Sequence, residues 1–375
     1  MTGQRTAPHP RRTAAICGIG SSLPPRVVSN EELTRQGALQ TSDAWIRSRT
    51  GIVNRRRAAP GTATGDLATG AGRAALESAG GPPPDLLLLA TTTPDRHCPA
   101  TAPEVAHRLG LSTIPAFDLA AVCSGFVYGV SLATALLLSG ACARPLVIAA
   151  ETYSSIIDPL DRDTAYIFGD GAGAVVLRGA DARQPGAVIA TDLGSDGSRC
   201  DLIAINGGGS RMPLAAQQLT RHDRYFRMRG RDVYAQAVRR MTESSRTALH
   251  RAGWTPGTVA AFIGHQANQR ILDSVADRLD IAPRHRFGNI RDVANTAAAS
   301  IPLALADTAA QGLVSPGART LLTAFGGGLT WGSIALTWPS ATPRHHPPHP
   351  RPTSEQSPAS PHPRKQPWTM SSSTS

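Results

Sequence analysis

FGDGAGAVVL at 168–177 and FGGGLTWGSIAL at 325–336 are two versions of one device: a phenylalanine and a run of glycines turn the chain into an apolar closing strand. Further out, DLLLLATTT at 85–93 and TVAAFIGHQ at 258–266 occupy equivalent places before them. Each is an apolar run of strand length. The candidate strands are Ala14–Ile19, Leu86–Thr91, Pro145–Ala150 and Ala172–Leu177, then Ala187–Thr191, Val259–Ile263, Thr320–Ala324 and Ser333–Trp338. Helical patterns separate them, the signature of a layered α/β fold. Two sets of four with the same ending predict two duplicated halves, residues 14–183 and 184–339, meeting near Ala180–Gly186.

The ends differ in kind. Residues 1–13 are expected to be flexible, and residues 340–375 a disordered tail. From Ala341 onward the chain holds nine of the 30 prolines and four of the 11 histidines, with almost no apolar periodicity. Such a segment cannot bury enough surface to offset its ordering entropy.

With 41% hydrophobic and 17% charged residues over 375 positions, the chain as a whole has the balance of a folded protein. Its most apolar region, Val127 to Ala150, is broken by Gly140 and Arg144, so no membrane span is expected. The start, MTGQRTAPHPRR, lacks the apolar core of a secretory signal, and the expectation is a soluble cytoplasmic protein. The net charge of +11 falls partly at the two ends, and the body has no dense basic run with interleaved aromatics. Nucleic-acid binding is therefore not expected, whereas an acidic partner or a phosphorylated ligand would suit the excess of arginine. The five cysteines (Cys17, Cys98, Cys123, Cys142 and Cys200) show no metal spacing and no CxxC, so neither a zinc site nor a disulfide framework is expected.

Cys123 lies in FDLAAVCSGFVYGVSLATALLLSG at 117–140, where small residues meet a long apolar helix pattern. At the first turn of a buried helix a thiol gains thiolate character, as a nucleophile requires, though a small core residue would fit the segment too. Ser124 and Gly125 favour the nucleophile by leaving room for a substrate. His265 ends a strand in FIGHQANQRILDSVADRL, a position suited either to a reacting group or to a hydrogen-bonded structural histidine. Asn295, in VANTAAASIPLALAD, reads as a helix cap or as an amide donor. Gly326–Gly328 can aim N–H groups at an oxyanion or make a tight turn.

Taken together, DLAAVCSGF, GHQAN, ANTAAAS and FGGGLTWGS resemble the β-ketoacyl-acyl-carrier-protein synthase III enzymes of the thiolase-like superfamily in order and approximate spacing. GIGSSLPPRVVSNEEL at 18–33, TSDAWIRSRTGI at 41–52 and DPLDRDTAYIFGDGAGA at 158–174 are similar as well, so the resemblance covers roughly residues 14–339. It implies a thiolase-like αβαβα fold and a reaction without cofactor or metal. Cys123 would take an acyl group from acyl-CoA, the oxyanion held by the N–H groups of Cys123 and Gly327. Malonyl on an acyl carrier protein would follow. His265 and Asn295 would hydrogen-bond its thioester carbonyl as decarboxylation forms an enolate, with Phe325 as the apolar wall beside the departing carboxylate. The resemblance further implies a homodimer, CoA contacts at Trp45, Arg49 and Arg162, and carrier-protein docking at Arg270.

Three positions depart from the family pattern. Cys98, in DRHCPA, stands where many members carry a phenylalanine that crosses the dimer and limits the acyl pocket, so a roomier pocket is expected. Ala294 replaces the usual glycine before the asparagine, and Arg231 replaces a small or amide residue. The reading is a condensing enzyme, one that primes a specialised polyketide or fatty-acyl pathway. Alternatives are acyl transfer to a hydroxyl or amine, which has less need of Asn295, and a non-catalytic partner subunit, in which Cys123, His265 or Asn295 would have been lost. A degradative thiolase is disfavoured because no cysteine follows Cys200.

Overall fold

The computed structural model describes residues 12–35, 39–111, 113–215 and 219–350. Strands β1 (Arg12–Ser22), β2 (Leu86–Ala90), β3 (Ala116–Leu119), β4 (Pro145–Glu151) and β5 (Gly171–Asp181) form one sheet in the order β1, β5, β4, β2, β3. β5 is antiparallel to both its neighbours, while β4, β2 and β3 run parallel. In the second half, β6 (Val188–Ser195), β7 (Ala261–Gly264), β8 (Arg319–Gly326) and β9 (Thr330–Thr337) repeat this as β6, β9, β8, β7. β9 is antiparallel to both its neighbours, and β7 and β8 are parallel. A lone parallel bridge from Phe262 to Arg286 lies beside β7 as β3 lies beside β2. Every candidate strand is found, with ends moved by a few residues.

Every residue of β2 and β4 is buried. Sheets covered on both faces need unbroken apolar strands, which is why LLLLA and PLVIAAE do not alternate. The helix Thr64–Ala79 covers the outer face of the first sheet against β1 and β5. Glycines permit the contact: a Cβ on Gly18 or Gly20 would stand 2.5 or 2.2 Å from backbone atoms of Ala75. Between the sheets lie Gly125–Leu138 and Ser300–Ala310, two helices apolar on most sides, as a doubly covered layer demands. Gly230–Ala252 and Gln269–Arg278 cover the second sheet from outside, completing the αβαβα layers.

The first residues of the expected tail are packed onto the fold. β10 (Arg344–His345) lies parallel to β1 at the sheet edge, Ser21 Oγ and His345 Nδ1 are 3.2 Å apart, and His346 Nε2 meets Glu77 at 2.6 Å. Arg108 donates to the His349 carbonyl. An open sheet edge offers unpaired backbone groups, and here histidines and backbone of the tail use them. At the other end Arg12 and Thr13 already belong to β1. Residues 1–11 and 351–375, the rest of both expected flexible ends, lie outside the described residues. Among the described residues no helix is long and apolar enough to cross a membrane.

Candidate active site

Four elements from both halves converge on one cavity. Cys123 occupies a short 3-10 turn, Val122–Ser124, directly before the central helix Gly125–Leu138. His265 follows the end of β7, its N–H bonded to the Thr323 carbonyl of β8 at 2.8 Å. Asn295 is held by backbone bonds to the 167–169 segment, with its N–H on the Ile167 carbonyl and its carbonyl on the Gly169 N–H. Phe325 comes from β8. These four, with Phe168, Phe226 and Met228, line a buried cavity of about 40 Å³.

The geometry resolves the local alternatives. Asn295 Oδ1 accepts the Ala297 N–H at 2.8 Å, so its carbonyl caps a turn and its amide nitrogen is left for the cavity. The capping reading is seen directly in this bond. Gly326 presses against the backbone of Cys123, where a Cβ would stand 2.8 Å from the Cys123 nitrogen. Gly327 follows, packed against Ile203. Ser124 is fully buried and bonds the Ala121 carbonyl at 2.8 Å and Thr330 Oγ1 at 2.7 Å; Thr330 in turn bonds the Gly327 carbonyl at 3.0 Å. A Cβ on Gly125 would stand 2.9 Å from that of Ala90. Ser124 and Gly125 are thus small because the Cys123 turn packs tightly, correcting the expectation that they leave room for a substrate.

Charge on the site differs from expectation in one respect. Burial pushes the Cys123 thiol well up and the nearby Glu151 carboxylate pushes it further, against the favourable effect of its own backbone N–H. The resting thiol is neutral, because loss of water outweighs the helix dipole. Burial pushes His265 down to about 3, so it too is neutral. Its Nδ1 lies 2.6 Å from Ser300 Oγ.

A wider pocket of about 700 Å³ opens outside the cavity and shares Met228, Val233, Ala267, Ile271 and Asn295 with it. Trp45, Arg49, Arg231 and Arg270 line it. The helix Asp43–Thr50 carries Trp45, started by Ser42, whose Oγ accepts the Trp45 N–H, and ended by Gly51 at φ +80°. The guanidinium groups of Arg49 and Arg162 each lie 5.8 Å from the Trp45 ring, so these three residues form one cationic aromatic rim. Arg270 donates to the Ser48 carbonyl at 2.8 and 3.1 Å, tying its helix to that rim. Cys98 is exposed, outside both cavities, on a loop anchored where Asp95 accepts the Gly65 N–H.

Residues 117–197 match the family description 3-Oxoacyl-[acyl-carrier-protein (ACP)] synthase III, and residues 249–338 match its C-terminal counterpart. Beta-ketoacyl-[acyl-carrier-protein] synthase III 2 of Streptomyces coelicolor is 58% identical over 333 residues, covering 89% of this chain and 96% of the relative. The chain belongs to the β-ketoacyl-acyl-carrier-protein synthase III family. Among solved structures, the synthase III of Pseudomonas aeruginosa PAO1 is similar with a TM-score of 0.81 and 48% identity, covering 88% of this chain and 100% of that one. The priming β-ketosynthase of the R1128 polyketide biosynthetic pathway gives 0.81 and 34%, covering 91% and 100%.

Two residues of this synthase III site escape a reading of the sequence. Ser300 closes the small-residue run ANTAAAS and reads only as a helix-starting serine. Glu151 is a lone acid at the end of an apolar strand, a signal that could have marked it.

Proposed function

We propose that Cys123 takes an acyl group from acyl-CoA and that the enzyme condenses it, with loss of CO₂, with malonyl on an acyl carrier protein. The observation that supports this most is the common cavity of Cys123, His265, Asn295 and Phe325 beneath a pocket rimmed by Trp45 and arginines. In the first half-reaction the thiol attacks the thioester carbonyl, and the N–H groups of Cys123 and Gly327 receive the oxyanion. The CoA sulfur leaves with the thiol's proton. In the second, the malonyl carboxylate beside Phe325 leaves as CO₂, and its electron pair becomes an enolate. Neutral His265 and the Asn295 amide donate to that enolate oxygen, and its carbon attacks the acyl-cysteine. Neutral donors suffice here, and a histidine held neutral by burial cannot be lost to the malonyl carboxylate as an ion pair.

Trp45, Arg49 and Arg162 would hold the CoA nucleotide, and Arg270 at the pocket mouth would meet the acidic carrier protein. We further propose a cytoplasmic homodimer that primes a specialised polyketide or fatty-acyl pathway. The open edge of β3, with Phe117 exposed, and the anchored loop of Cys98 support a dimer in which Cys98 of a second copy borders the acyl cavity. The likeness to a priming ketosynthase supports the pathway role.

The test is intact-mass analysis after incubation with a panel of acyl-CoAs, followed by malonyl-carrier protein. Cys123→Ala is expected to lose the adduct by several orders of magnitude and Cys142→Ala to keep it. His265→Ala and Asn295→Ala are expected to load normally yet block condensation. Equal collapse of both steps would make His265 the base that activates the thiol.

A further inference from the structure

Glu151 ends β4 as a fully buried carboxyl within electrostatic reach of Cys123. Its oxygens accept the Thr92 N–H at 3.1 Å, the Thr93 hydroxyl at 2.9 Å and the Thr91 hydroxyl at 3.5 Å, all neutral donors. Burial pushes it up to about 7, so it can hold or release a proton where His265 cannot. Condensation leaves it no role so far.

A file of threonine hydroxyls leads away from it. Thr93 Oγ1 lies 3.0 Å from Thr64 Oγ1, which lies 2.9 Å from Thr152 Oγ1, and all three side chains are buried. Thr152 also lines a separate surface pocket of about 450 Å³, which shares no residue with the one at Trp45. Counting hydrogens gives the file a direction. A carboxylate only accepts, so it claims the single hydrogen of Thr93, whose oxygen already accepts the Thr152 N–H at 3.0 Å. Thr64 must then donate to Thr93, and Thr152 to Thr64. The O–H bonds all point from the pocket toward Glu151.

Next to Thr152 in the chain, Tyr153 packs in the same cluster as Cys123. It is fully buried, its ring stacks on Phe168 of the cavity wall at 4.6 Å, and both Cys123 and Glu151 act on it electrostatically. Its hydroxyl lies beside Thr92, yet neither hydroxyl completes a well-aligned hydrogen bond. Buried polar groups left in this state call for a role.

We propose that Thr152, Thr64, Thr93 and Glu151 form a proton relay that returns a hydrogen to the Cys123 sulfur in each turnover, with Tyr153 as the last hydroxyl before it. The proton balance requires such a source. Loading is neutral, since the thiol's proton leaves with the CoA sulfur. Condensation is not: the malonyl carboxylate departs as CO₂, the carbanion forms the carbon–carbon bond, and the acyl C–S bond breaks with its electron pair on sulfur. One proton must then be taken up, at a site whose burial opposes a thiolate. Tyr153 gives its hydrogen to sulfur and regains one from Glu151, which is refilled from water in the outer pocket through Thr152, Thr64 and Thr93.

The relay rests on the condensation proposed above, and the experiment separates the two. Thr64→Val removes the hydroxyl at nearly equal volume, and Thr64→Ser restores it; Thr152→Val interrupts the same file should Thr64→Val fold poorly. Acyl loading by intact mass is expected to stay within about twofold in all of them. Condensation with malonyl-carrier protein should fall about tenfold or more in both valine variants, with a larger solvent deuterium isotope effect on kcat, and recover in Thr64→Ser. Unchanged condensation and isotope effect in the valine variants, or loading lost in parallel with condensation, overturns the relay alone. A wild-type enzyme that loads but yields no β-ketoacyl product overturns the condensation reading and the relay with it.

Discussion

His265 Nδ1 lies 2.6 Å from Ser300 Oγ, and this one buried contact decides which nitrogen of the histidine carries its hydrogen. Ser300 Oγ also accepts the Gln266 N–H at 3.3 Å, and among the described residues its hydroxyl has no acceptor but Nδ1. A buried hydroxyl hydrogen without a partner is costly, so Ser300 donates to Nδ1 and the ring's own hydrogen sits on Nε2, toward the cavity.

Ser300→Ala is therefore expected to release the tautomer. Condensation should fall by about 10- to 100-fold, the worth of roughly 1–3 kcal/mol of misplaced hydrogen bonding, while acyl loading changes little. Kinetics of the two half-reactions, with nitrogen NMR of His265 to read the tautomer, check both parts.

Glu151 makes stability depend on pH in a defined direction. Its folded pKa of about 7 stands above the ordinary 4.5, so the folded state holds the proton more tightly between those values. Its contribution is full below about 4.5, is lost as pH rises toward 7, and levels off above. The stability of Glu151→Gln relative to wild type should thus rise by about 3 kcal/mol from pH 4.5 to 8. His265, pushed down, imposes the opposite trend, but on both proteins alike. Denaturant unfolding at the two pH values gives the difference.

Ala294 has φ +60° and ψ −157°, a conformation natural only to glycine. Ala294→Gly should stabilise the protein by roughly 1–2 kcal/mol, a rise of about 1–3 °C in Tm for a chain of this length, with loading and condensation retained. Thermal unfolding of the two proteins decides it, and a lower Tm would show that the alanine's methyl contact outweighs the strain.

Cys98→Phe tests the proposed dimer and acyl pocket together. A phenyl group entering the neighbouring cavity should shift preference toward short acyl groups by roughly tenfold, the scale of an overpacking cost of about 1–3 kcal/mol. The ratio of kcat/KM for acetyl-CoA to that for a medium-chain acyl-CoA reads this, with sizing to confirm the dimer. An unchanged ratio in a dimeric, active variant removes Cys98 from the tunnel.

Repetition and apolar run length located the strands β1 to β9 except β3, whose four residues AFDL are too short and too open to stand out, whereas β2 and β4, covered on both faces, have to be written as continuous apolar sequence. Cys123, His265, Asn295 and Phe325 were also legible as candidates, because each stands in a short motif of its own, at a strand end or just before a helical turn. The ribbon of Arg26–Ser29 with Asn54–Arg57 was not: it is rich in arginine, and Arg55 is fully buried only because the Val28 and Tyr166 carbonyls and Asn30 Oδ1 accept from it. The tail strand β10 escaped for a like reason, since its partners are an open edge and scattered side chains rather than an apolar face.

The sequence by itself determined the fold and set Cys123, His265 and Asn295 apart as candidates, because periodicity and motif order are local properties of the chain. Only the tertiary structure decided their chemical states. Whether Cys123 rests as thiol or thiolate, whether His265 is neutral, and which of its nitrogens carries the hydrogen depend on burial and on Glu151 and Ser300. Such terms come from groups distant in sequence and close in space, where removal of water, with a neighbouring charge adding to it, outweighs the dipole of the helix that the cysteine precedes.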